Sequence, residues 1–210
     1  MFRDRRDAGR TLAEELGRYS SDYEAVVLGI PRGGVVVAGE VARLLGLPLD
    51  VVIASKIGAP ANPEYAVGAV DPDGRVTPNP EGGYEIIELE HLARPVRERI
   101  QRRIELYRGG LEPVDLEGAT AIVVDDGIAT GLTAIAALRY VRAQGAVRVV
   151  LAAPVVSASA VQAVSAYADE IIAPETPDLF YSVGQFYRSF GQTSDDEVLE
   201  ILGEFGGEEE

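Results

Sequence analysis

Apolar residues follow two rhythms along this chain, and the rhythms alternate. Apolar runs at residues 25–30 and 121–124, and at 49–54 and 147–155 with Asp50 and Arg148 as single charged breaks, fit strands of a parallel sheet with buried faces. Between them apolar positions recur every three or four residues. Leu132, Ile135, Leu138 and Val141 mark one side of a helix that stops near Gly145, a natural C-terminal cap. The same rhythm predicts helices over 35–45 and 158–168, and a shorter one over 11–18 with Leu12, Ala13 and Leu16 inward. An arginine-rich helix over 89–107 is expected to start irregularly because of Pro95, and a short last strand covers 170–173. Thr193-Ser-Asp-Asp-Glu197 reads as the cap of a final helix through Leu202. Strands and helices in alternation with short links predict an α/β fold with a doubly wound parallel sheet in a single domain over 1–210.

Residues 58–83 break the alternation. Their five prolines and five glycines, with the turn signal Asp71-Pro-Asp-Gly74, predict a β-ribbon inserted after the second strand. Inserts of this kind are often mobile lids, and a flexible lid is expected here; an inert hairpin or dimer arm is the competing reading. Residues 174–210 form a small C-terminal hood and helix, with a frayed acidic tail at 206–210.

Composition narrows the class. A chain of 210 residues with 47% hydrophobic and 25% charged residues has enough apolar material for a substantial core. The formal charge of −15 disfavours a nucleic-acid surface, and no run approaches a membrane span. The stretch Met1 to Asp7 has no apolar signal region, so the expected compartment is the cytoplasm. The absence of cysteine removes disulfides and thiolate chemistry. His91, the single histidine, has no metal or triad partners in its surroundings and reads as an exposed side chain.

Candidate chemistry sits where the predicted strands end, the edge at which α/β sheets bind ligands. After 121–124 come Asp125 and Asp126, then Gly127, Ile128, Ala129, Thr130, Gly131, Leu132 and Thr133 at a helix start. Free backbone N–H groups and the helix dipole there attract a phosphate, the dipole contributing roughly 0.3–2 kcal/mol. The run Pro31, Arg32, Gly33, Gly34 follows another strand. Glycines let the backbone approach oxygens, and Arg32 offers paired donors to a phosphoryl group. Lys56, the single lysine among 19 basic residues, follows the second apolar run.

Residues 123–133, Val-Val-Asp-Asp-Gly-Ile-Ala-Thr-Gly-Leu-Thr, resemble the phosphoribosyl pyrophosphate motif of type I phosphoribosyltransferases. The resemblance implies that Asp125 and Asp126 bind the ribose hydroxyls and that residues 127–133 wrap the 5-phosphate. It implies that Pro31, Arg32, Gly33 and Gly34, with Lys56, hold pyrophosphate, and that this loop carries an unusual cis peptide. It also implies catalytic roles for Asp125, Asp126, Arg32 and Lys56, and Mg²⁺ held mainly by substrate oxygens, with Asp125 and Asp126 nearby. The hood aromatics Phe180 and Tyr181 would stack on the acceptor or pack the hood. Expected partners are phosphoribosyl pyrophosphate and a small-molecule base, in a homodimer. Residues 56–64 and 192–198 resemble a subgroup whose acceptor is not generally established. One departure stands out: some purine members have an aspartate where this chain has Ala129, which puts a 6-oxopurine acceptor in doubt. The alternative reading is a regulator that binds phosphoribosyl pyrophosphate or a nucleotide without transfer. A dinucleotide enzyme fits badly, because no strand leads into Gly-x-Gly-x-x-Gly.

Overall fold

In the computed structural model of the chain, residues 1–110 and 112–206 are described; the acidic residues 207–210, expected to fray, lie outside them. The order is α1 (Arg5–Glu15), β1 (Ala25–Gly29), α2 (Gly33–Leu45), β2 (Leu49–Val51), β3 (Ser55–Ala59), β4 (Asn62–Val70), β5 (Val76–Pro78), α3 (Ile86–Arg108), β6 (Thr120–Val124), α4 (Leu132–Ala143), β7 (Arg148–Ala152), α5 (Ala158–Val164), β8 (Glu170–Ile172) and α6 (Asp195–Gly203). Five strands form a parallel sheet in the order β2-β1-β6-β7-β8. Every residue of β1 and β6 is buried, as their unbroken apolar runs require.

Side chains alternate between the two faces of this sheet. Val26, Leu28, Ala121, Val123, Val149 and Leu151 pack toward α4 and α5. Ala25, Val27, Ile122, Val124, Val150 and Ala152 pack toward α1 and α2. The sheet is therefore doubly wound. Its strand order reverses between β1 and β6, so the loops after these two strands flank the switch point.

Several boundaries differ from the pattern-based expectation. The first helix starts at Arg5, not residue 11, because Asp4 caps it by accepting from the Asp7 N–H. The second sheet strand ends at Val51, where β1 ends opposite it; the Val52 N–H still donates to the Gly29 carbonyl at 3.0 Å, and Val52, Ile53 and Ala54 stay buried beyond the paired register. The helix α3 begins regularly at Ile86 on a reciprocal Glu85–Glu88 cap, with Pro95 inside it. Pro95 withdraws a donor from the carbonyl of His91, an exposed residue where water can substitute. The final helix begins as expected, with Ser194 accepting from the Glu197 N–H.

The insert is a three-stranded antiparallel ribbon, β3-β4-β5, that begins at Ser55 rather than 58. Its inner half is anchored: Ala66, Val67, Ala69 and Val70 are buried, and Val67 and Val70 share a cluster with Leu89, Ala93, Val96 and Ile100 of α3. Residues 60–65 at its outer end are exposed. No helix among the described residues is long and apolar enough to cross a membrane.

Candidate active site at the switch point

The paired ends of β1 and β6 bring the two candidate loops together. Gly29 lies opposite Val124, and the Ile30 N–H donates to the Val124 carbonyl at 2.8 Å. The chain then turns through Pro31 and Arg32, whose peptide bond is cis as the resemblance implied, and α2 starts at Gly33. Gly33 and Gly34 bring α2 directly against the acid pair. A Cβ on Gly34 would lie 2.9 Å from the Asp125 Cα, and one on Gly33 would overlap the Asp126 carboxylate. This close approach, not a left-handed backbone, favours glycine at both positions, against backbone atoms at Gly34 and against side chains at Gly33.

The acids are more enclosed than an open sheet edge suggests, because α1 and the C-terminal segment fold over them. Arg5 donates through Nε to Asp126 Oδ2 at 2.7 Å; the two side chains are only 12% and 15% exposed. Asp125 Oδ1 accepts from the Asp126 N–H at 2.8 Å. Burial, and then the neighbouring Asp126 charge, push the Asp125 carboxyl well above the usual carboxylate range. Burial also raises Asp126, and the Arg5 guanidinium opposes that rise. The Tyr187 hydroxyl donates to the Asp126 carbonyl at 2.6 Å, and burial keeps this phenol protonated far beyond its ordinary range.

Beyond the acids the chain forms a turn suited to an anion. Ile128 is fixed by an N–H bond to the Val155 carbonyl, and Ser157 Oγ donates to the Ala129 carbonyl at 2.6 Å. Gly131, at φ 83°, starts α4 with no side chain capping it. Among the described residues, the N–H groups of Thr130, Gly131, Leu132 and Thr133 find no partner in the loop or cap hydrogen bonds. Ala129 and Thr130 are exposed, so the turn lies at the surface, while Gly131 and Leu132 are buried behind it. Gly127 is packed against Val183 and Val155 and serves the bend itself.

Other expected site residues lie farther from this centre. Arg32 is held loosely, its nearest acid being Asp195 of α6 at 3.9 Å. Lys56 is the second residue of β3, within the ribbon rather than in a turn ahead of it, and pairs with Glu64 at 2.8 Å. Phe180 packs on Phe186 with ring centroids 5.2 Å apart. Tyr181 is 86% exposed and contacts no aromatic ring here. His91 is exposed, as expected.

Sequence reasoning missed Arg5, Tyr187 and Phe190. The Arg5 guanidinium also donates to the Gly191 carbonyl at 2.7 Å and lies 3.9 Å over the Phe190 ring. The aromatic residues of 180–190, Tyr187 and Phe190 among them, are the one signal of this arrangement that the sequence carried. Beside Arg5 runs a polar cleft of about 260 Å³ lined by Arg6, Val36, Gly191, Gln192 and Thr193.

Comparison with known proteins now decides the family. Residues 3–190 match the phosphoribosyl transferase domain model. The chain belongs to the phosphoribosyl transferase domain family. It is 47% identical over 211 aligned positions to the Mycobacterium tuberculosis H37Rv protein named "Putative phosphoribosyl transferase Rv0571c", covering 96% of this chain and 46% of that one. The CDC 1551 strain has a counterpart with the same figures. The chain thus spans about half the length of the curated relatives it matches. The crystal structure of TT1426 from Thermus thermophilus superimposes with a TM-score of 0.83 at 45% identity, covering 98% of this chain and 99% of that one.

The donor set also bears on the metal that such a family implies. Among the described residues no group of three or more His, Cys, Asp or Glu side chains converges, and one acid of the pair is already bonded to a guanidinium. Two adjacent carboxylates fit a hard cation that keeps its waters and substrate oxygens as main ligands, not an all-protein cage.

Proposed function

We propose that this domain transfers a 5-phosphoribosyl group from phosphoribosyl pyrophosphate to a nitrogenous base or related acceptor, releasing pyrophosphate. The observation that carries the reading is the meeting of two loops at one switch point: a helix start with free N–H donors beside two enclosed acids, and Gly33–Gly34 pressed against those acids. In the reaction the anomeric C–O bond to pyrophosphate breaks as the acceptor nitrogen bonds to that carbon, and the acceptor's proton leaves to water or a neighbouring base. The amides of 130–133 hold the 5-phosphate, while Asp125 and Asp126 orient the ribose hydroxyls and support the positive charge developing at the anomeric carbon. Arg32, loosely paired, turns onto the departing pyrophosphate, and Lys56 follows if the outer ribbon closes. Bound Mg²⁺ would neutralise pyrophosphate charge, with Asp125 and Asp126 near its water shell. Ribbon closure would exclude water that otherwise hydrolyses the substrate. A homodimer in the cytoplasm belongs to the same proposal.

The test is calorimetric binding of phosphoribosyl pyrophosphate with Mg²⁺, followed by pyrophosphate release across purines, pyrimidines and related bases. Asp126→Asn should weaken binding or turnover at least about tenfold while the fold survives. Equal affinity in wild type and variant would refute the assignment. Ala129, in place of a carboxylate some relatives of this type use toward the acceptor, favours a second reading: tight binding without release with any base makes the protein a phosphoribosyl pyrophosphate sensor.

A further inference from the structure

Residues 3–10, from just before α1 to its second turn, are crowded with charge, and one arginine behaves unlike the rest. The side chains of Arg3, Arg6 and Arg10 are 65%, 48% and 52% exposed, whereas that of Arg5 is 12% exposed. Enclosing a guanidinium is unfavourable unless its donors are matched. Arg5 is matched three ways: Nε to Asp126 Oδ2, Nη1 to the Gly191 carbonyl, and its plane over Phe190.

We propose that Arg5 is a positioning residue for sugar binding: it fixes the orientation of the Asp126 carboxylate and ties that carboxylate to the C-terminal segment carrying Phe190 and Gly191. The inference rests on the phosphoribosyl reading above and deepens it. With Oδ2 committed to Arg5, the carboxylate has one orientation, and its other oxygen is left to accept from a sugar hydroxyl. The surroundings are shaped around this pair. Any side chain at Gly33 would overlap both partners, and Tyr187 holds the Asp126 main chain from the other side. Tyr187 stacks between Phe2 and Phe190, at centroid distances of 5.6 and 5.0 Å, so N- and C-terminal segments close on the acid together. Arginine suits this place because its planar fork can serve a carboxylate and a carbonyl at once, which an ammonium holds less rigidly.

The experiment compares binding of ribose 5-phosphate and inorganic phosphate by isothermal calorimetry. Both should engage the 130–133 turn, and only the sugar engages Asp126. In Arg5→Met, ribose 5-phosphate affinity should fall at least about tenfold while phosphate affinity stays within about twofold of wild type, so selectivity collapses. Arg5→Lys should recover part of that selectivity. If Arg5→Met does not fold, Arg5→Lys and Phe190→Leu carry the test, each expected to lose part of it. A parallel loss for both ligands makes Arg5 merely structural and overturns the inference. So does retained selectivity in every folded variant. A wild-type protein with no preference for the sugar over phosphate overturns the phosphoribosyl reading itself, a different outcome from either.

Discussion

Gly34 is where α2 meets the strand that carries the acids, and replacing it with alanine tests the architecture of the whole site. The added Cβ would stand 2.9 Å from both the Asp125 Cα and the Val124 carbonyl oxygen, and 3.0 Å from Asp125 Oδ1. Comfortable contacts between such atoms lie near 3.5 Å, so α2 must retreat by roughly 0.5 Å. Two of the three obstructing atoms belong to the backbone, and Val124 is fully buried, so nothing can swing aside. Overpacking of this kind costs about 1–3 kcal/mol, and alanine's better helix propensity returns at most about 1 kcal/mol. After the full return the net loss is about 0–2 kcal/mol, which for a domain of this size lowers Tm by up to about 8 °C. The same retreat widens the gap between the acids and the pyrophosphate loop, so phosphoribosyl pyrophosphate affinity should fall at least about tenfold. Gly33→Ala makes a contrast, because its Cβ meets the ends of the Asp126 and Arg5 side chains, which can move. It should lower Tm less and impair ribose binding more. Thermal unfolding and calorimetric titration of both variants check this. A Gly34→Ala protein with Tm within about 1 °C of wild type and undiminished affinity would mean that the loops do not touch in solution.

Asp125→Asn should stabilise the ligand-free protein at neutral pH while weakening phosphoribosyl pyrophosphate binding. The folded Asp125 carboxyl binds its proton more tightly than the unfolded one, so wild-type stability falls as pH rises from about 4 through the raised folded value; melts over pH should show this decline flattened in the variant, and parallel curves would refute it. The asparagine oxygen can still accept from the Asp126 N–H, so the turn is kept. Tyr187→Phe leaves the Asp126 carbonyl without its donor and should cost about 1–2 kcal/mol in urea unfolding, with an unchanged midpoint counting against that bond. Lys56→Ala removes an exposed pair with Glu64 and should leave Tm unaltered; a raised KM for phosphoribosyl pyrophosphate supports its pyrophosphate role, and an unchanged KM removes it.

The central sheet was legible because β1 and β6 are buried on both faces, so their apolar runs are unbroken, and α4 shows a clear apolar side. Boundaries slipped where tertiary contact overrides local pattern. Val52 to Ala54 are as apolar as a strand, yet β1 ends at Gly29, whose carbonyl accepts from the Val52 N–H, and the register goes no further than Val51. Pro95 reads as a helix breaker, but its face of α3 meets solvent, where the lost hydrogen bond matters little. In the site, the motif at 123–133 announced itself through adjacent residues. Arg5 and Tyr187 did not, since their roles depend on segments 121 and 61 positions away from Asp126. A run such as Arg3-Asp-Arg-Arg-Asp7 looks like solvated surface until the chain's two ends are folded together.

That enclosure resolves a difficulty raised by composition. A chain of formal charge −15 should repel a polyanionic sugar phosphate, and two of its carboxylates stand inside the candidate site. Surface charges, however, are screened beyond roughly 8 Å at physiological ionic strength, so distant acids count for little at the switch point. What a bound phosphate feels is local: the N-terminal dipole ends of α2 and α4, the unpaired amides of 130–133, and Arg32. The two acids would then be an obstacle only if both faced the phosphate as free charges. Instead Asp126 is answered by Arg5, and burial inclines Asp125 toward its neutral form, so the resting site carries less negative charge than its sequence suggests. A sugar hydroxyl needs a carboxylate acceptor, and the positive charge that grows at an anomeric carbon favours the ionised form. On the proposed function, an Asp125 that burial disfavours as an anion would be better matched as positive charge grows at the anomeric carbon, and an interaction that strengthens towards the transition state is what a transferase gains from.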